Sequence, residues 1–312
     1  MESREAGRRR RERRLVECVP NFSEGRDGSK VDAIVLAIAR TADVVVLGRE
    51  MDPDHNRAVV TFAGPPEAVA EAALAAIAQA VQSIDLRRHS GVHPRIGAAD
   101  VLPFVPISGI SMEECAALAH RVGEEIWRRL RVPVFFYEAA ARSPERRRLE
   151  NIRRNNAVGL TPDIGGPGLH PTAGAVAVGA RKFLIAFNIN LNTADVRVAR
   201  EIARAVRESS GGLPCVKAMG VALASRNLAQ VSMNLTDFER TPLPVAFEAV
   251  RAEAARRGVS IAGSELIGLL PRKALAGTTA AALQCGNLTS ASLLENQLAK
   301  QTAEPPGGPL IQ

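Results

Sequence analysis

At 312 residues and 46% apolar content the chain is long enough for two domains with cores of their own, and no apolar run approaches the roughly 20 residues of a membrane span. One Trp and one Tyr are too few for base stacking, which excludes nucleic-acid binding as a main activity. The formal net charge of +7 is concentrated in residues 1–14, whose seven Arg and three Glu carry +4.

That segment is expected to be a basic disordered leader, because no apolar stretch follows the arginines as an export signal requires. Leu15–Pro20 reads as a short strand, and Ser29–Thr41 places Val31, Ile34, Val35 and Ile38 on one helix face. Val44–Glu50 and Arg57–Ala63 are Val-rich strands separated by the turn-like Asp52-Pro-Asp-His-Asn56. Pro65 and Pro66 open an Ala-rich helix to about Ile84. Val101–Ile107 is a strand that Pro103 and Pro106 assign to a sheet edge or to an irregular strand. Ser111 and Glu114 form a capping box for a helix to about Leu130, followed by the strand Val132–Tyr137.

After the Arg-rich stretch Arg142–Asn156 and a Gly/Pro-rich loop, the order begins again. Lys182–Leu191 is a strand, and Thr193 is positioned to cap a helix ending near Gly211. Val216–Ala224 and Leu228–Leu235 are strands, Pro244–Arg257 a helix, and Val259–Leu270 a closing strand. Both halves read β-α-β-β-α-β, which predicts an α+β protein with two ferredoxin-like subdomains produced by internal duplication. In such a unit both helices cover one sheet face, so the other face must be buried against the second half or a second subunit. The expected divisions are a leader at 1–14, subdomains at 15–180 and 181–275, and a helical piece with a disordered tail at 276–312.

Cys18, Cys115, Cys215 and Cys285 are scattered without a C-x-x-C pair, which argues against a zinc site and a disulfide framework and fits a cytoplasmic location. The histidines that stand out are His89 and His93, in a segment also carrying Gly91, Pro94, Arg95 and Asp100. Their H-x-x-x-H spacing suits a metal pair only on a helix, which Gly91 and Pro94 disfavour, so no metal is expected. A single acid–base histidine beside cations is the sharper reading, since imidazole accepts and returns a proton near neutral pH. A structural role for both rings stays open on residue type alone. Asp54–Arg57 is either a polar hairpin or a rim of the site, and the Gly-rich run 163–174 is either a linker or a ligand loop.

The stretches LVECVPNFSEG (15–25), DPDHNRAVVTFAG (52–64), RRHSGVHPRIGAADVLPFVPI (87–107), HPTAGAVAVGARKFLIAFNINL (170–191), LAQVSMNLTDFERTPL (228–243) and GSELIGLLP (263–271) together resemble the formiminotransferase family. The resemblance runs from about Leu15 to Ala274, and the His-Pro-Thr-Ala-Gly form is similar to stand-alone microbial members. It implies transfer of a formimino group from N-formimino-L-glutamate to N5 of tetrahydrofolate, a co-substrate, with release of L-glutamate. It implies a homodimer with a ligand groove between the subdomains, and the ammonia-releasing cyclodeaminase step on a separate protein. The resemblance places the catalytic histidine at His93. It places folate contacts on an intersubdomain loop of Gly165, Gly166, Pro167, Gly168, Leu169, His170, Pro171, Thr172, Ala173 and Gly174. Arg57 and Arg95 are candidates for carboxylate contacts, with Asn56 and Asn188 as polar positioning groups. The alternatives are a non-catalytic folate-binding protein of the same fold and a formyl-folate one-carbon enzyme.

Overall fold

A computed structural model describes residues 13–303 of the chain. The expected leader falls outside the described residues except for Arg13 and Arg14, and the tail after Ala303 lies outside them too. The first half contains β1 (Leu15–Cys18), β2 (Asn21–Phe22), α1 (Gly28–Ala39), β3 (Val45–Asp52), β4 (Arg57–Gly64), α2 (Pro66–Ser83), β5 (Ala99–Ser108), α3 (Met112–Leu130), β6 (Val134–Glu138), α4 (Leu149–Arg153) and β7 (Val176–Ala180). The second contains β8 (Ile185–Leu191), α5 (Val196–Val206), β9 (Val216–Leu223), β10 (Leu228–Leu235), α6 (Leu243–Arg256) and β11 (Ile261–Ile267), with α7 (Leu294–Ala303) closing the described chain.

Two sheets result. The first runs β3-β4-β1/β2-β5-β7-β6, with β1 and β2 acting as one interrupted strand between β4 and β5. The second is fully antiparallel in the order β11-β8-β10-β9. Alternation along each strand divides polar from apolar faces. Val16, Cys18, Val60 and Phe62 join α1, α2 and α3 in one core, while Ile185, Phe187, Ile189, Val231 and Met233 join α5 and α6 in another. The intervening residues Glu17, Asn21, Arg57, Val59, Asn188, Ser232 and Glu265 face a cavity between the sheets.

Several expectations need correction. β5 is central, flanked by β1/β2 and β7, although it holds two prolines. Pro103 falls at the break between β1 and β2, where its carbonyl still accepts from the Val19 N–H. Phe104 bonds toward β7 through Arg181, so Pro106, two residues on, faces the same side beyond the end of β7 at Ala180. Neither proline therefore removes a needed ladder bond. β7 has no counterpart among the expected strands; it is an unbroken buried run in parallel pairing, which carries no alternation to detect. Because β7 follows the Gly-rich loop, that loop belongs to the first sheet's connections and does not run between the sheets. Asp195, not Thr193, caps α5 by accepting from Arg197 N–H, and α5 ends at Val206, ahead of Gly211. The Ala-rich stretch near 280 is turn, and the terminal helix is α7, whose Leu294 and Leu298 pack with Leu47 of β3.

The division of faces has a measurable consequence. Phe187→Ala, on the helix-covered face, is expected to cost about 3–5 kcal/mol in urea unfolding. Asn188→Ala, on the cavity face with no side-chain bond, should change stability by less than about 1 kcal/mol.

Candidate active site

The space between the sheets is a cavity of about 1030 Å³. Side-chain bonds from one sheet to the other close it. At one end the β3–β4 hairpin reaches across: Asp54 accepts from Ser225 Oγ at 2.5 Å, and His55 Nε2 lies 3.2 Å from Gln230 Oε1. Along one side Lys217 of β9 reaches Glu150 of α4 at 3.0 Å.

The segment carrying His93 is docked on this hairpin. Gly25 and Gly91 allow the approach, since an added Cβ would meet Asp52 O at 2.2 Å and His55 O at 2.5 Å respectively. Asn56 takes the left-handed backbone (φ 47°) that Asn tolerates, and its amide joins the two neighbours. Its Oδ1 accepts from Gly25 N–H at 2.8 Å, and its Nδ2 donates to Ser90 O at 2.8 Å. His89 Nε2 meets Asn56 O at 3.0 Å, which ties that nitrogen to the backbone, while its Nδ1 is buried without a partner. Arg95 donates to Gly91 O at 2.6 Å and to His93 O at 3.2 Å, bracing the curl.

His93 is half-buried, lines the cavity, and has its ring centroid 5.8 Å from that of His55. Nδ1 lies 2.8 Å from Pro94 O, an acceptor only, so Nδ1 carries the proton. The lone pair then belongs to Nε2, which has no partner among the described residues. Below the ring, Asp100 Oδ2 accepts from Arg57 Nη1 at 2.7 Å and Arg153 Nη2 at 2.6 Å, while Oδ1 accepts from Ile96 N–H at 2.7 Å. Asp100 is fully buried, which pushes its carboxyl up, but the Arg153 and Arg57 guanidiniums hold it well below the usual carboxylate range. Burial lowers Arg57 to about 10, Asp100 opposing and Arg153 adding to the effect. Two cations around one anion leave a positive surplus beside His93. Burial first, then Arg57 and Arg153, push its imidazole well below the ordinary value. His93 is thus a neutral base at pH 7.

Of the other candidates from sequence, Arg57 and Asn188 line the cavity, whereas Asn56 and Arg95 do not. Arg57 spends Nη1 on Asp100 and Nε on Asn21 Oδ1 at 2.8 Å. No residue from Gly165 to Gly174 lines the cavity. In that loop His170 Nδ1 accepts from the N–H of Ala173 at 3.0 Å, holding a local turn. Among the described residues no group of three or more His, Cys, Asp or Glu could hold a metal ion, and no helix is long and apolar enough to cross a membrane. Sequence reasoning missed Asp100 and Arg153. Asp100 ends the His-rich segment and opens β5, which was a usable signal; Arg153 is one of six arginines in 142–154 that look alike until α4 orients them.

The family model for the formiminotransferase domain, N-terminal subdomain, matches residues 15–181, and that for the formiminotransferase domain matches 186–301. The chain belongs to the formiminotransferase family. It is 42% identical to a glutamate formimidoyltransferase of Streptococcus pyogenes, over 91% of this chain and 99% of the relative. It is 43% identical to a glutamate formimidoyltransferase of Thermoplasma acidophilum, over 92% and 98%. The formimidoyltransferase-cyclodeaminase of Rattus norvegicus is 45% identical over 87% of this chain, which spans 52% of that protein.

Removing the central anion tests the electrostatics. Asp100→Asn leaves two buried guanidiniums facing a neutral amide, and should destabilise the protein by about 3–5 kcal/mol in chemical denaturation.

Proposed function

We propose that this chain is a glutamate formimidoyltransferase that moves the formimino group of N-formimino-L-glutamate to N5 of tetrahydrofolate and releases L-glutamate. The observation that carries the mechanism is His93: neutral, with Nδ1–H tied to Pro94 O and a free Nε2 facing the cavity. His93 Nε2 accepts the proton lost by the attacking N5 as the N5–carbon bond forms. It returns that proton to the glutamate nitrogen as the carbon–nitrogen bond to glutamate breaks. The protein ends the cycle in its starting protonation state, as a transferase requires.

The cavity suits two substrates. Its volume of about 1030 Å³ sits at the upper end of small-molecule sites, roughly 300–1,000 Å³. Arg153 lines it with Nε unpartnered, and Arg154 and Arg148 stand nearby as carboxylate-binding cations. Holding both substrates there converts a bimolecular step into one within a complex. Asn188 is a polar positioning group on β8, and Arg57 acts by setting the charge beside His93 while leaving carboxylate contacts to its neighbours. The Gly165–Gly174 loop is given no folate contact in this reading, since it lies off the cavity wall.

The fold reading extends this. In the first sheet the strands of the β-α-β-β-α-β unit lie in the order β3-β4-β1-β5, and in the second β9-β10-β8-β11. The two orders match position by position, which supports two ferredoxin-like units derived by duplication and divided near residues 180–181. Four free cysteines support a cytoplasmic setting.

A turnover assay counting glutamate released from formiminoglutamate and, separately, from formylglutamate tests the reaction. Wild type should release glutamate from the formimino donor, and His93→Ala should lower kcat by about 10² to 10⁴. No release from either donor by protein that binds tetrahydrofolate would contradict the reaction. Because the base must be unprotonated and its pKa is depressed, the acid limb of kcat/KM should lie below the ordinary histidine value of about 6.5.

A further inference from the structure

His55 lines the cavity beside His93 and takes no part in the chemistry above. Behind it, in the second sheet, runs a chain of buried amides. Asn190 on β8 donates from Nδ2 to Glu265 Oε1 on β11 at 2.9 Å. Asn190 Oδ1 accepts from Gln230 Nε2 on β10 at 2.9 Å, and Gln230 Oε1 lies 3.2 Å from His55 Nε2. The circuit closes through Arg226, which donates to Glu265 Oε1 and whose Nη2 lies 3.9 Å from Asp52 Oδ2. Asp52 Oδ1 in turn accepts from the His55 backbone N–H at 2.8 Å.

A carboxylate accepts and cannot donate, so Glu265 gives this chain a direction. Asn190 must turn its NH₂ group toward Glu265, which leaves its oxygen for Gln230, whose own oxygen then faces His55. The hydrogen of His55 therefore sits on Nε2, and the neutral ring carries its lone pair on Nδ1. That nitrogen has no hydrogen-bond partner among the described residues. His93 holds the opposite tautomer with Nε2 bare, and the ring centroids are 5.8 Å apart. Two neighbouring rings thus each offer the cavity an acceptor. An apolar pair at 190 and 230 would dock the hairpin as well without burying two amides; what the amides add is the choice of tautomer.

Resting on the formimino-transfer reading, we propose that His55 selects a formimino over a formyl donor, its Nδ1 accepting from the terminal N–H of the formimino group. The two donors differ by =NH against =O, so shape cannot separate them and hydrogen-bond polarity must. A formyl oxygen set against Nδ1 brings two lone pairs together with no hydrogen between them. The bond asks nothing of the proton transfer. The terminal nitrogen keeps a hydrogen from substrate to product, while His93 moves the proton from N5 to the glutamate nitrogen. The first half carries His55 and the second carries Gln230, Asn190 and Glu265, so the selecting tautomer forms only where the two halves meet.

The test compares glutamate release from N-formimino-L-glutamate and from N-formyl-L-glutamate, with tetrahydrofolate, by the full chain as wild type, His55→Leu and Gln230→Leu. Wild type should favour the formimino donor in kcat/KM by about tenfold or more. His55→Leu should lose about that factor with the formimino donor while formyl transfer holds or rises. Gln230→Leu, which keeps the ring and frees its tautomer, should narrow the preference as well. A second readout needs no variant: nitrogen NMR of histidine-labelled wild type should show hydrogen on His55 Nε2. Its bare Nδ1 signal should move on adding formiminoglutamate and stay in place with formylglutamate. Hydrogen on Nδ1, a signal indifferent to formiminoglutamate, or no donor preference in wild type would overturn the proposal. A wild type that releases no glutamate, with Nδ1 responding to formiminoglutamate alone, overturns the reaction and keeps the recognition. Turnover by wild type, with equal loss from both donors in His55→Leu, keeps the reaction and overturns the recognition.

Discussion

The buried carboxylate of Asp100 is the constraint on which the rest of the site depends. Its two oxygens accept from Arg57 on β4, Arg153 on α4 and the backbone N–H of Ile96 in the His93 segment. One side chain thereby joins a strand, a helix and a loop that are distant in sequence. The anion is fully desolvated, a state that persists only because every direction of approach is met by a donor. Its two cationic partners exceed it by one charge, and that surplus adds to the effect of burial in keeping the nearby imidazole neutral. Structure and reactivity are therefore set by the same ion cluster.

The cavity follows from strand periodicity. Each sheet commits one face to helices through large apolar side chains, so the opposite face is free to be polar. Two such faces opposed would collapse if both were apolar. Here carboxylates, amides and guanidiniums keep them apart, and the ties at Asp54–Ser225, His55–Gln230 and Lys217–Glu150 hold the spacing at the margins. α7 returns from the second half to pack on β3, adding an apolar clasp where Leu47, Leu269 and Leu294 meet. The walls differ in sign from place to place, with Glu17 and Glu50 at one part of the lining and Arg57 and Arg153 at another.

Much of this was legible in the residues. The β-branched and aromatic runs around Val59, Phe187 and Val231 mark strands, and the Ser111–Glu114 capping box marks its helix start to the residue. His93 was visible through its Gly, Pro and Arg neighbours and through family resemblance. What could not be read was long-range. β7 is buried on both faces and so has no period; the prolines of β5 are harmless only because of where β1, β2 and β7 break or end. Asn56 and Arg95 looked like ligand contacts by type, yet their bonds go to Gly25, Ser90, Gly91 and His93. The loop 165–174 read as either a linker or a ligand loop; two of its glycines give close approach elsewhere in the first half, Gly165 to Pro133 and Trp127 and Gly174 to Ile96. Residue type signals chemistry; only the topology decides which polar groups point at the cavity.

The measurement that bears most directly on this account is the protonation state of His93, read by two-dimensional NMR of the ring nitrogens in histidine-labelled protein at pH 7. The account predicts a neutral ring with hydrogen on Nδ1, bonded to Pro94 O, and a bare Nε2. A charged imidazolium, or hydrogen on Nε2 with Nδ1 bare, would contradict the claim that the Asp100 cluster holds His93 ready as a base.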